Sequence, residues 1–472
     1  MSILGGLPVD ESPEARRACS LDAWPRARKL EQAGMPLPLC AGVVRPTSAE
    51  AVALVLEDAG KRGVSLLPVG LRSGIVGGLS CTGDEVAIDL SRVDRIVAID
   101  ETALIVRVEA GVRGSTLEDA IRPRGLTVGH YPQSFDISSI GGWIATRSSG
   151  IASTGYGSIE QRLLGLRVAL GDGTLVETPS WPRASVGPNL AQMFVGSEGA
   201  LGVICEATLS VRRIPPVRRL ATWGFPSFAS GLEGVRAAIQ DGIKPAVARL
   251  YERAEAGRFT TSPPGALLVV VHEGVEDAVA VEASLAGERF AIHEASPLPE
   301  SVARHWWNGR FDASALLSYS ERPGSVADAI DIAADWSTIG ALVARLETEL
   351  RQHATAVHVH ASHFYETGAS AYLTLYLDED GPLGAVRALD RVWELAMEAC
   401  LDAGAAIAHH HGVGAVRLPW LPAALGSSSE LLRRIRKALD PDGLLARNRL
   451  TLGATEQELL GPSDGPDLGP AA

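Results

Sequence analysis

Val52, Val55, Leu56 and Ala59 recur at helical spacing behind Thr47-Ser48-Ala49-Glu50, and Gly60 and Gly63 end the run. A capping box followed by apolar positions on one face predicts a helix. The apolar run 65–69 predicts a strand that empties into Gly70-Leu71-Arg72-Ser73-Gly74 and then Gly77-Gly78. Shorter strands fit 85–90, 96–99 and 104–108, and a second capping box, Ser115 to Glu118, opens a helix that Pro123 and Gly125 close. Residues 164–170 and 174–177 flank Asp172-Gly173, a hairpin pattern.

The pattern changes after Pro215-Pro216. Strand candidates at 220–223, 247–251, 267–271, 356–360 and 371–377 alternate with helical stretches at 275–285 and 339–353, and 383–400 is again helical. An antiparallel sheet with helices on one face packs such an order, so the class is α+β. No GxGxxG stands between a strand and a helix and no Walker motif occurs, which disfavours a Rossmann or P-loop site.

Composition then narrows the function. The 472 residues suffice for two or three domains, and 46% hydrophobic with 21% charged residues is a globular balance. The net charge of −13, with no basic cluster against it, argues against nucleic acid as the main partner and does not forbid an anionic small-molecule substrate. No stretch is apolar enough to span a bilayer and no secretory pattern opens the chain, so a cytoplasmic location is expected. Five scattered cysteines without a CxxC pair suit reduced, buried thiols.

The densest chemistry lies at 140–159, where Gly141, Gly142, Gly150, Gly155 and Gly157 stand among small hydroxylated residues, with Trp143 and Tyr156 as bulky exceptions. Such a run lets backbone approach a ligand and offers N–H groups to phosphate oxygens. Gly196-Ser197-Glu198-Gly199-Ala200-Leu201-Gly202-Val203-Ile204 follows. Together the two resemble the flavin-binding signature of the FAD-linked oxidases of the vanillyl-alcohol oxidase and p-cresol methylhydroxylase type. Gly368-Ala369-Ser370-Ala371-Tyr372 after His363-Phe364-Tyr365, His409-His410-His411-Gly412-Val413-Gly414, and Trp336 before a helix resemble the alkyldihydroxyacetonephosphate synthase branch.

The resemblance implies a two-lobed FAD-binding domain with an antiparallel-sheet cap. It divides the chain into an N-terminal segment (1–44), an FAD-binding domain (45–216), a cap or substrate domain (217–400), a segment returning to the FAD domain (401–455) and a disordered tail (456–472). Cofactor contacts are expected at Gly70, Arg72, Ser73, Gly74, Pro132, Ser134, Ser138, Gly141, Gly142, Ala145, Thr146, Ser149, Gly150, Tyr156, Glu198, Gly202, Val203 and Ile204. Ile75 offers no histidyl link, so FAD is expected without covalent attachment through this loop. A homodimer is a mild expectation of the same resemblance.

Tyr372 matches the family's proton-transferring tyrosine, and His409, His410 and His411 match positions used around the reacting centre. In that branch, reaction at flavin N5 exchanges an acyl for an alkoxy group without net redox change. The alternative is oxidation of a small alcohol, amine or 2-hydroxyacid. A phenol needs a lowered pKa to act as a base, and Tyr372 also reads as a packed strand residue. Histidines alternating along a strand would not all face one pocket. Glu198 reads equally as a turn cap, and Arg147 as a phosphate contact or an internal ion pair. No metal is expected: Ser370 and His410 stand where the hydroxyacid dehydrogenases carry a ligating histidine and glutamate. Two departures stand out. Leu317 occupies the place of a family arginine, with Arg310 and Arg322 nearby as substitutes, and Leu71-Arg72 interrupts the usual glycine loop.

Overall fold

The computed structural model describes residues 2–450. The tail expected at 456–472 and the end of the 401–455 segment therefore lie outside the described residues.

Ser48, rather than Thr47, caps the first long helix, its hydroxyl accepting from the Ala51 N–H, and Gly63 at φ 67° closes helix Ala49–Arg62. The buried face of that helix covers a three-stranded parallel sheet in the order Gly42–Val44, Val86–Asp89, Leu66–Val69. Val52, Val55, Leu56, Leu66 and Ile88 form its core. The chain's far end reaches this lobe, because the Leu66 N–H donates to Leu444 O and the Ala446 N–H to Leu66 O. A second lobe is a five-stranded antiparallel sheet ordered Leu175–Glu177, Leu163–Ala169, Val203–Ser210, Ile105–Glu109, Ile96–Asp100. The Asp172-Gly173 hairpin pairs Leu175 with Ala169. The second helix runs Gly114–Ile121 with Arg113 at its N-cap and no side-chain cap. Glu118 is not a capping residue; it is buried and accepts from Thr127 Oγ1 and the Val128 N–H.

The cap is a seven-stranded antiparallel sheet, ordered Ser296–Pro297, Val217–Phe225, Ala266–Gly274, Val247–Glu252, Ala356–Ser362, Gly368–Asp378, Ser325–Asp335. Helices Phe228–Gln240, Glu276–Ile292, Ile339–Leu350 and Gly381–Asp402 bury their apolar sides against it. The molecule is thus the expected α+β arrangement of a two-lobed domain and an antiparallel cap. Sequence patterning missed the edge strand Ser325–Asp335, because Asp328 and Asp331 interrupt its apolar run. Its partners explain it: eleven paired positions with Gly368–Asp378 hold it in the sheet.

Two glycines of the glycine-rich stretch also admit neighbouring chain segments. A Cβ at Gly150 would lie 2.4 Å from the Tyr131 backbone N, and one at Gly141 would lie 2.7 Å from Ala110 Cβ. Both glycines serve close chain-to-chain packing. Gly414 is tighter still: it sits at φ 54°, and a Cβ there would lie 2.1 Å from Val76 O. It seats the loop after the three histidines on the first lobe, since the Ala415 N–H donates to Val76 O. Gly414→Ala should therefore destabilise the protein by more than about 1 kcal/mol, read as a lower thermal midpoint with and without flavin.

Candidate active site

Cross-strand register assembles the centre of the site. Asp331, Tyr372 and His360 stand opposite one another on three adjacent strands, and Tyr251 extends the rung to a fourth. The Tyr372 ring stacks on His360, with centroids 4.8 Å apart. Asp331 is fully buried and ion-paired with the equally buried Arg417. One Asp331 oxygen accepts the backbone N–H groups of His409, His410 and His411 at 2.9, 2.7 and 3.1 Å. Arg417 also donates to Ile407 O and Gly412 O, so the pair grips both ends of the histidine loop.

The three histidines therefore lie in a bend wrapped round a carboxylate, not on a strand. His410 and His411 line the main cavity and His409 does not. His409 turns towards Tyr365, whose hydroxyl lies 2.8 Å from its Nε2, and stacks on His363. His363, at φ 52°, is held by Ser153 Oγ at 2.5 Å from its Nδ1. Ring nitrogens of His363, His409 and His410 lie within 4.8 Å of one another. That spacing would let one cation touch all three, yet Ser153, Tyr365 and the 2.8 Å contact between the Nδ1 atoms of His409 and His410 already engage them.

A cavity of about 580 Å³ runs from the Gly70–Gly74 loop to Tyr372, His410 and His411. Every residue expected to touch the cofactor lines it except Gly150 and Tyr156. Gly150 is occupied by packing, as above. Tyr156 is buried elsewhere, its ring under Arg212 and its hydroxyl donating to Glu273. The wall suits a long anionic cofactor: the N–H groups of Leu71, Arg72, Ser73, Gly74 and Ile75 donate to no other described protein group. Glu198, at φ 49°, accepts from the Val413 and Gly414 N–H groups and joins the second glycine motif to the histidine loop. Burial raises its carboxyl pKa. Arg147 is exposed, makes a 3.5 Å ion pair with Glu160 and does not reach the cavity.

Two sets of known domains match this chain. A model described as an FAD binding domain matches residues 40–179, and one described as FAD linked oxidases, C-terminal domain, matches residues 214–450. The chain belongs to the FAD-linked oxidases. Its cofactor is FAD. The chain is 30% identical over 431 residues to an uncharacterized FAD-linked oxidoreductase of Escherichia coli, covering 87% of this chain and 88% of that one. It is 26% identical over 449 residues to alkyldihydroxyacetonephosphate synthase of Caenorhabditis elegans, covering 86% and 75%. A solved alkyldihydroxyacetonephosphate synthase superposes with a TM-score of 0.78 at 21% identity, over 93% of this chain and 82% of the other. No described helix is long and apolar enough to cross a membrane.

Sequence reasoning missed one of the cations that line this cavity. Arg249, on strand Val247–Glu252, lines it and places Nη2 2.6 Å from His360 Nε2. His360 Nδ1 lies 3.1 Å from a carboxylate oxygen of buried Glu255, and Arg249 Nε has no protein partner. Arg310 and Arg322 do not fill this place. Arg310 stacks on Trp307 and Phe311, and Arg322 pairs with Asp378. Leu317 is on the cavity wall, in helix Ser314–Glu321.

Burial holds His363 and His410 well below the usual imidazole range, and His409 at about 4. Burial also raises the Tyr372 phenol, helped by the negative charge of Asp331. For Asp331 itself burial acts upward, but His411 and Arg417 outweigh it and the carboxyl stays well below its ordinary value.

Two outcomes follow from these charges. Removing the Asp331 carboxylate strands Arg417, so Asp331→Ala should cost about 3–5 kcal/mol in chemical denaturation. A histidine kept neutral on folding stabilises above its unfolded pKa of about 6.5, and that contribution fades as pH falls towards the folded value. The thermal midpoint should drop between pH 7 and pH 5, and His409→Gln should flatten that slope by on the order of 1–2 kcal/mol.

Proposed function

We propose that this enzyme carries out group transfer at flavin N5 on a small anionic substrate, exchanging an acyl for an alkoxy group without net redox change. The observation that carries this reading is the meeting of the Arg249 guanidinium, held by His360, with an imidazole kept neutral at His410 and the protonated Tyr372 phenol on a single cavity wall. FAD supplies N5 as the reacting centre.

Arg249, a cation on the cavity wall, binds the substrate's phosphate or carboxylate through charge-assisted hydrogen bonds from its guanidinium. His360 and Glu255 behind it fix the guanidinium and balance its charge. Neutral His410 accepts the proton lost from the substrate carbon. Tyr372, its phenol kept protonated by burial, donates a hydrogen bond to the departing carboxylate. The similarity to alkyldihydroxyacetonephosphate synthases supports the reaction class, and the contacts of Arg249 support the substrate charge.

Leu317 favours a second reading. A leucine, 55% exposed on the cavity wall, cannot stabilise a leaving carboxylate from helix Ser314–Glu321. Oxidation of a small alcohol, amine or 2-hydroxyacid has no such leaving group. It instead moves two electrons to the flavin and on to oxygen or another acceptor.

Anaerobic mixing with candidate substrates separates the two. In group transfer any bleaching reverses anaerobically once the alcohol is added, and one acid is released per alcohol consumed. Oxidation bleaches the flavin, which recolours on admitting the acceptor. In either case Tyr372→Phe should lower kcat on the order of 10²-fold with flavin content unchanged. Arg249→Met should raise KM by roughly tenfold or more, the value of a charge-assisted contact. An unchanged KM for Arg249→Met would remove the anionic substrate from this reading.

A further inference from the structure

The flavin loop has a support that lies outside both matched domains. Residues 20–25 precede the FAD-binding match, which begins at residue 40. They nevertheless run directly behind the Gly70–Leu79 loop. The Ala23 N–H donates to Gly74 O at 2.7 Å, and Asp22 Oδ2 accepts the Gly78 N–H at 2.7 Å. A Cβ at Gly74 would sit 3.3 Å from the same Asp22 oxygen. The other Asp22 oxygen accepts the Trp24 N–H, which fixes the carboxylate against its own chain. The Trp24 ring then closes the far side of the loop: a Cβ at Gly77 would lie 2.7 Å from it.

The residues from Leu71 to Ile75 line the cavity, and their N–H groups donate to no described protein group. Arg72 stands within that run at φ 64°, a conformation costly for a non-glycine residue unless its surroundings impose it. The bonds to Ala23 and Asp22 hold the loop just after this strained residue, at Gly74 and Gly78. Asp22 itself faces the cavity from the rear of the loop.

We propose that Asp22 is a positioning residue for FAD: as acceptor for Gly78, it holds the 70–78 loop in the shape that turns its amides towards the pyrophosphate. The N-terminal strap is thus part of the cofactor site. An acceptor oxygen is what the geometry requires, because the partner is a backbone N–H and not a cation. The charge of Asp22 is incidental to this task, and asparagine offers the same oxygen.

The test uses the full chain, stripped of flavin and titrated with FAD, for the parent, Asp22→Ala and Asp22→Asn. Asp22→Ala should weaken FAD binding at least tenfold, with the melting midpoint of the flavin-free protein unchanged. Amide exchange in a peptide covering 70–80 should quicken in flavin-free Asp22→Ala. Asp22→Asn should bind FAD within about threefold of the parent and keep the slow exchange. Unchanged FAD affinity in Asp22→Ala overturns the proposal. So does equal weakening in both variants, which would make the charge, and not the acceptor, the active feature. If Asp22→Ala does not fold, the Asp22→Asn affinity and exchange decide by the same criteria.

Discussion

The ion pair between Asp331 and Arg417 is the constraint on which the reacting half of the molecule rests. Two full charges without solvent are costly to bury, and their attraction offsets that cost only with further hydrogen bonds. Here those bonds are the three consecutive histidine amides on Asp331 and the carbonyls of Ile407 and Gly412 on Arg417. The pair therefore fixes a loop with no regular secondary structure of its own. Because Asp331 lies in register with Tyr372 and His360, the same anchor sets the histidine loop against the sheet. Glu198 ties the loop's other end to the flavin lobe. Sheet, loop and cofactor domain thus meet through two carboxylates that accept backbone amides.

Burial and neighbouring rings keep His363, His409 and His410 neutral, since protonating one would place a cation beside several donors. Arg249, backed by His360 and Glu255, brings a fixed positive charge to the same cavity. Substrate charge, if anionic, then meets one fixed partner and not a diffuse field.

Much of this was legible beforehand, for identifiable reasons. Alternating and helical apolar patterns gave the lobes and most cap strands, because those elements bury one face and expose the other. The glycine motifs and the histidine triplet marked the cavity wall, since their spacing is unusual for packing alone. Strand Ser325–Asp335 was hidden because its buried aspartates look like loop residues until Arg417 and Trp393 are seen beside them. Arg249 was hidden in the same way: nothing local in Val247–Glu252 distinguishes it, and only sheet pairing brings it to His360. Gly150 was misread because a glycine admitting another chain segment and one admitting a ligand look identical in sequence.

The Gly70–Leu79 loop is held by two segments far apart in the sequence. Asp22 and Ala23 grip it from one side, while buried Arg449 donates to Gly78 O and Ser80 O from the other. During synthesis the loop is made early, but its last tether emerges only with the final described residues. The loop thus takes its shape only when segments far apart in the sequence have come together, so its geometry depends on the overall fold and not on local sequence.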